Sequence, residues 1–329
     1  MTARASAAVT ITHPEKVLFP DDGITKAEVA AYYAAVAAIM LPHIRRRPVT
    51  MERFPSGIDA KGFLQKNVVK GFPAWLERAE LPKKDGTVFY PLANDARALQ
   101  WMANQNTITL HVWPSRMPDP WRPDICVFDL DPAADDPEPL RAAALGLRDL
   151  LADRGLTPAV KTSGSKGFHI VVPLERTDAG AVSRFAHAIA GELVARLPDL
   201  VTLEFAKADR GGRILVDIGR NRPGATMAAA YTIRPRPGAP VSAPCTWKEI
   251  EERTVTPRTF TLRTMAARLD AVGDLWKDLH RRGATLPEVP EQPEAAEAPV
   301  TSTKSAKSAK SAKSARAGRR QPRPSRSPR

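Results

Sequence analysis

The 329-residue sequence predicts a mixed α/β fold, and three observations carry that expectation. Between about residues 121 and 285, short β-rich runs alternate with amphipathic helical periods. The first 120 residues hold a capped helix followed by strand-like runs. A composition of 43% hydrophobic and 26% charged residues is that of a globular chain, long enough for a substantial core and about two domains.

The elements follow in order. HPEKVLFPDDG (13–23) is broken by Pro and Gly. Thr25 then stands three residues before Glu28, a capping box at the start of a helix through KAEVAAYYAAVAAIM, which Pro42 is expected to end. The apolar stretch Ala30–Leu41 is too short to span a bilayer and reads as a core helix. Residues 47–54, 88–92 and 107–113 read as strands, with a short helix at 95–104. DICVFDLDP (124–132) is a β-rich run stopped by Pro, and 139–155 is an amphipathic helix closed by Gly155. PAVKTSGSKGFHIVVPL is a strand, a Gly/Ser turn and a second strand. A helix at 179–197, a strand at 213–219 and a strand with Pro-rich loops through AAAYTIRPRPGAPVSAP follow. Closing elements are expected to end in a helix near Arg282.

After Thr285 the character changes. Residues 286–300 are Pro, Glu and Ala with four Glu and no base; 301–329 carry four Lys, six Arg and no acid, with a repeated S-A-K triplet. Such a stretch cannot bury apolar surface and is expected to be disordered. The whole chain has a net charge of +13, and residues 1–285 alone remain at +7. A basic body with a strongly basic tail suggests a polyanionic partner, with nucleic acid foremost; a solvated surface with a solubilising tail is the plainer alternative. Two lone cysteines, Cys126 and Cys245, exclude zinc-finger spacing and a disulfide framework. MTARASAAVTITHPEK lacks a signal-peptide pattern.

Three features carry chemistry. Asp129 and Asp131 sit at i and i+2 near the end of a strand, so they share a face and repel unless a cation lies between them. Hard oxygen ligands of that kind suit Mg²⁺ or Mn²⁺; the alternative is an ordinary strand-to-loop transition. Thr162–His169 joins two apolar strands through small residues that let backbone amides approach a polyanion, with Lys166 adding charge. It lacks the P-loop spacing, and a tight hairpin would explain the glycines alone. Asp217 stands inside the apolar run RILVDIG, where a carboxylate needs a partner: either Arg213 or Arg220 at the surface, or a cation shared with Asp129 and Asp131. Were the two strands neighbours, three carboxylates would converge as in two-metal phosphoryl transfer.

The order of these motifs, with the strings HPEKVLFPDDGITK, GFLQKN, LHVWPSR, VFDLDP, TSGSKGFHIVVPL, VDIGRN and AAAYTIRPRPGAPVS, resembles the archaeo-eukaryotic primase superfamily. More closely, it resembles the polymerase domain of bacterial DNA ligase D, the end-joining enzyme that works with Ku. The resemblance runs from about residue 13 to 285. It implies a primase-polymerase fold: an RRM-like catalytic sheet (about 121–285) packed against an N-terminal α/β module (about 1–120). It implies template-directed nucleotidyl transfer that fills gaps at DNA ends, two Mn²⁺ or Mg²⁺ ions, and a preference for ribonucleotides.

By matching motif, Asp129, Asp131 and Asp217 would be the catalytic metal-binding carboxylates. Ser163, Lys166, His169, His111, Arg220, Arg234 and Arg53 would bind the incoming nucleotide. Lys16 and Lys26 would hold a downstream 5′-phosphate, and Phe63 would stack on the template. Leu64 stands where relatives often carry a second aromatic, and Glu52 precedes Arg53. The implied partners are broken or gapped DNA, NTPs or dNTPs, Ku and a separate ATP-dependent ligase, with no membrane; the implied location is the bacterial cytoplasm, at the nucleoid. No ligase or phosphoesterase module and no adenylating K-x-D-G lysine is expected, so a ligase would act in trans. A primase starting chains de novo and a non-catalytic end-bridging protein are the rival readings.

Overall fold

Burial is deepest along two neighbouring strands at the centre of the molecule, where every residue of Phe168–Pro173 is buried. The structure is a computed structural model and describes residues 9–289. The Lys/Arg-rich tail and most of the acidic linker, expected to be disordered, lie outside the described residues.

The N-terminal part carries strands β1 (Val17–Phe19) and β2 (Ile24–Thr25), then helices α1 (Lys26–Ala35) and α2 (Ala37–Ile44). Strands β3 (Val49–Arg53), β4 (Phe63–Gln65), β5 (Arg78–Lys83) and β6 (Gly86–Pro91) follow, then α3 (Ala96–Asn104) and β7 (Thr107–Val112). The middle runs β8 (Ile125–Asp131), α4 (Pro137–Ala152), β9 (Ala159–Thr162), β10 (Phe168–Pro173), α5 (Ala179–Arg196), β11 (Val201–Thr202) and β12 (Ile214–Asp217). Short strands β13 (Met227–Ala228), β14 (Thr232–Ile233), β15 (Val241–Ser242) and β16 (Pro244–Cys245) precede α6 (Trp247–Glu251) and α7 (Met265–Val272).

The principal sheet has the order β11-β12-β8-β10-β9-β16. Its succession β8-α4-β9-β10-α5-β12, with β8 and β10 central, is the RRM-like arrangement expected of a catalytic sheet. Helices α4 and α5 pack on one another and against this sheet. Alternation along β8 buries Phe128 and Leu130 completely, which leaves Asp129 and Asp131 on the opposite face. A second sheet has the order β13-β7-β3-β4. Its strand β13 comes from the segment after β12, so the chain crosses from the first sheet to the second within ten residues and brings their polar faces to one cleft.

The α1 capping box forms as read: the Thr25 hydroxyl accepts from Glu28 N, and the Glu28 carboxylate accepts from Thr25 N at 2.8 Å. Pro42 does not end that helix. The break falls at Val36, where the axis bends by 73°, and Pro42 lies inside α2. Tyr33, Val36, Ala37 and Met40, spaced i, i+3, i+4 and i+7, are buried on both sides of the bend. No single helix is long and apolar enough to cross a membrane; the bent pair α1–α2 matches only in combined length and composition, and its apolar residues are largely buried. The last helix ends at Val272 instead of near Arg282, where one 3₁₀ turn, Leu279–Arg281, stands.

Contrary to expectation, Lys83-Lys84-Asp85-Gly86 spells K-x-D-G. It is the exposed tip of the β5–β6 hairpin, with Lys83 paired to Gly86, away from the cleft that the three carboxylates line.

Candidate active site

Four titratable side chains line up across the principal sheet. Asp217 on β12 pairs in register with Asp129 on β8, Asp129 with His169 on β10, and His169 with Lys161 on β9. Directly opposed residues of neighbouring strands share a face, so register alone assembles the row Asp217–Asp129–His169–Lys161. Asp131 lies two residues along β8 on that same face. The open strand edge is braced by Asn221. Its amide accepts from Val127 N at 2.8 Å and donates to Val127 O at 2.7 Å, locking the turn after β12 onto β8.

The carboxylates carry opposite charge close by. Arg220 spans Asp129 (3.3 Å) and Asp217 (3.2 Å), and Arg210 meets Asp131 at 3.1 Å. The surface pairing considered for Asp217 and its convergence with Asp129 are therefore both present, because Arg220 serves both. Burial pushes the Asp129 carboxyl up; Arg220 opposes that rise, while Asp217 and Asp131 add to it. Such a group is short of positive charge. Three carboxylates on one face suit a hard divalent cation, although among the described residues no three His, Cys, Asp or Glu side chains are already drawn into ligand geometry. The Arg220 side chain is 41% exposed.

Beyond the row, the Ser163–Gly167 turn closes the β9–β10 hairpin through a Ser163 N to Gly167 O bond of 2.9 Å. The Ser163 hydroxyl accepts from Ser165 N and Gly167 N, both at 3.1 Å, which leaves its own proton free for an anion. Gly164 takes φ +65°, and a Cβ there would lie 2.6 Å from Arg234 Cγ. That close approach seats the turn on Arg234, whose guanidinium donates to Ser163 O at 3.3 Å. His169 meets Asp129 at 3.5 Å. Burial and the nearby cations Lys161, Arg220 and Arg234 hold its pKa well below the usual value, so the ring is neutral. His111, on β7, is hydrogen-bonded to Glu52 at 3.0 Å. Burial lowers its pKa more than Glu52 raises it.

The carboxylates, both histidines, the turn and Arg234 face one cleft of about 450 Å³, with Lys161 and Glu52 outside its lining. Nine expected residues line it: His111, Asp129, Asp131, Ser163, Lys166, His169, Asp217, Arg220 and Arg234. Four do not. Lys26 is buried and donates to Thr12 O at 2.6 Å, its backbone N bonds Lys16 O at 2.7 Å, and its ammonium feels the charges of Lys16 and Arg53. Arg53 lies 5.3 Å over the ring of Phe63, which is 45% exposed. Expected at the nucleotide, Arg53 instead joins this second cationic cluster. Side chains alternate along β3, so Glu52 takes the cleft side and Arg53 the other.

Sequence reasoning missed Glu52, Lys161, Lys207, Arg210, Asn221 and Phe205. Phe205 is 78% exposed at the cleft rim. A charge inside an apolar strand marks Lys161 by the same signal that marks Asp217, and AKADRGGR announces a basic loop before the strand-borne carboxylate. Asn221 and Phe205 leave no pattern to read.

Known proteins resemble this chain in sequence and in fold. The sequence model of the LigD primase-polymerase domain matches residues 25–276. The multifunctional non-homologous end joining protein LigD of Mycolicibacterium smegmatis is 38% identical over 271 residues, covering 81% of this chain and 35% of that protein. The bifunctional non-homologous end joining protein LigD of Bacillus subtilis is 29% identical over 273 residues, covering 82% of this chain and 44% of that protein. The chain thus spans less than half the length of these curated relatives. The polymerase domain of Mycobacterium tuberculosis Ligase D, solved in complex with DNA, superposes with a TM-score of 0.79 at 35% identity, covering 84% of this chain and all of that one. A match across most of the sequence, carrying the same fold end to end, means that this chain belongs to the LigD primase-polymerase domain family.

Proposed function

We propose that the protein is a template-directed nucleotidyltransferase that adds nucleotides at DNA ends and fills gaps during non-homologous end joining. One observation carries the reading: three carboxylates converge beside a Ser/Lys/His turn in a single cleft. The names of the relatives place them in end joining, and the M. tuberculosis domain was solved on DNA.

In this reading Asp129, Asp131 and Asp217 hold two divalent cations, with Mn²⁺ preferred. When bound, divalent ions supply Lewis acidity to the attacking hydroxyl and the α-phosphate and offset the charge of the leaving pyrophosphate. The protein does the remaining work. Ser163 donates its hydroxyl proton, and Lys166 and Arg234 their N–H groups, to the triphosphate. Neutral His169 and His111 bond the sugar or phosphate without adding charge, and Glu52 fixes the orientation of the His111 ring. Were cations held by the carboxylates, Arg220 would be released from Asp129 and Asp217 and could meet the nucleotide instead. Lys16 and Lys26 receive the downstream 5′-phosphate, Phe63 supports the template, and Arg53 supports Phe63. ATP and other ribonucleotides are the preferred substrates, and Ku with a separate ligase are the partners.

Primer extension on a gapped duplex tests this, with or without a 5′-phosphate on the downstream strand, with ATP or dATP, and with Mn²⁺ or Mg²⁺. We expect extension that is faster with the 5′-phosphate. Asp129→Asn should abolish it while leaving DNA affinity nearly intact, because phosphate contacts set affinity. Extension by Asp129→Asn at the wild-type rate would sink the assignment. Synthesis on a bare single-stranded template would point to a primase starting chains de novo. DNA joining in the absence of metal would point to an end-bridging protein.

A further inference from the structure

Lys161 is wholly buried on β9, two residues before Ser163. Among the described residues its one hydrogen-bond acceptor is the Ser242 hydroxyl, and it has no carboxylate partner. Ser242 in turn donates to Thr162 O at 2.9 Å, at the base of the turn. An ammonium has three protons to place, and burying it without an anion costs several kcal/mol. An apolar side chain at this position would serve the core better.

The neighbourhood gives the charge a purpose. Burial, and after it the charge of Arg234, bring the Lys161 pKa down to about 7 while Asp129 opposes the fall, so the amine is only partly charged near neutral pH until further negative charge arrives. Arg234 is itself largely buried, with Nε unpartnered and no carboxylate pair among the described residues. Two cations without an ion pair therefore stand at the Ser163–Gly167 turn, Lys161 behind it and Arg234 at the cleft wall, with Glu52 and Asp129 near enough to attract but not to pair with them. Unpaired cations at this wall of the cleft suit an incoming anion. Charges in a low-dielectric interior act over several ångströms without contact.

We propose that Lys161 is a positioning residue for the triphosphate: a buried ammonium that never touches substrate, but raises the positive potential of the turn and holds Ser242 behind it. The proposal rests on the reading of this cleft as a nucleotide site, and it names the phosphates as what Lys161 senses.

The test is the near-isosteric, neutral variant Lys161→Met in the full chain, titrated with ATP, ADP and adenosine alongside wild type and Lys166→Ala. ATP affinity should fall roughly tenfold, as expected for one charge at about 8 Å in a medium of intermediate dielectric. ADP should lose less, and adenosine should bind as before. The melting temperature of Lys161→Met should equal or exceed that of wild type, since a buried unpaired charge is removed. Lys161→Gln, which keeps a polar end near Ser242, gives the same readout should the methionine variant aggregate. The ratio of ATP to adenosine affinity decides. A ratio unchanged in Lys161→Met, or in the glutamine variant used in its place, while Lys166→Ala lowers it, overturns the proposal and leaves the site intact. Failure of wild type to prefer ATP over adenosine overturns the nucleotide reading itself.

Discussion

Gly167→Ala tests how the two halves of the site are joined. Gly167 opens β10, and the next two residues pair Phe168 with Leu130 and His169 with Asp129. A Cβ at Gly167 would lie 1.6 Å from Leu130 O and 2.9 Å from Leu130 C. A comfortable C···O approach is about 3.3 Å, so β8 and β10 would have to part by roughly 1.7 Å at the carboxylates. Both partners are backbone in the middle of a sheet, and no side chain can swing aside. Overpacking of this kind costs about 3 kcal/mol. For a folded chain of this size that lowers the melting temperature by about 5 °C. Displacing Asp129 against His169 by more than 1 Å should slow nucleotide addition by about 10²-fold. Gly191, inside α5, is the control: its Cβ would meet nothing within 4 Å, and Gly191→Ala should keep or raise stability. Thermal unfolding and single-nucleotide extension on a gapped duplex read both effects. Wild-type melting and wild-type extension in Gly167→Ala would refute the claim that strand register holds the site.

Two further predictions concern stability and DNA binding. Burial pushes the Asp124 carboxyl up, but Arg47 at 2.6 Å and Arg116 at 2.8 Å outweigh that and bring its pKa down to about 2. A depressed carboxyl stabilises the fold above its ordinary pKa near 3.8, and the stabilisation is lost as pH falls toward 2; two pH units correspond to about 2.5 kcal/mol. Asp124→Ala should cost about 3–5 kcal/mol at pH 7, because it strands buried Arg47, and denaturant unfolding should show the gap to wild type narrowing below pH 4. A gap independent of pH would refute the pairing. Removal of residues 301–329 should flatten the salt dependence of DNA affinity by about 0.9 for each phosphate the tail had neutralised; an unchanged slope would mean the tail does not touch DNA.

Legibility in the sequence followed the length of the signal. The Thr25 capping box, the long helices α4 and α5, and the hairpin around Ser163–Gly167 each rest on local rules that the structure obeys. β13 to β16 have two residues each, too few for any period, and exist because longer strands or each other offer free edges. Pro42 does not end the first helix, because the chain already bends at Val36 and Pro42 falls within α2. Arg53 was placed one side chain from the residue that faces the cleft, since alternation makes a single step in β3 a change of face.

The row Asp217–Asp129–His169–Lys161 shows what a single sequence withholds and why. Each member sits at a position where an apolar strand carries a polar residue, and that anomaly is local and visible. Their alignment depends on three strand registers, and register is decided by burial on the opposite face: Phe128, Leu130, Ile170 and Val216 must all lie beneath the sheet together. Slipping one strand by a single residue would bury Asp129 and expose Leu130, a loss far larger than any attraction among the polar side chains. The apolar face therefore sets the geometry of the charged face. The charges are tolerated because they balance across the row, carboxylates at one end and an ammonium at the other, with Arg220 and Arg210 completing the carboxylate end. The ammonium end has no such complement among the described residues, and it lies behind the turn whose Ser163 hydroxyl and Lys166 ammonium face the cleft. Under the proposed function, a nucleoside triphosphate with divalent cations would meet both ends of this row, displacing Arg220 from the carboxylates and supplying negative charge at the turn.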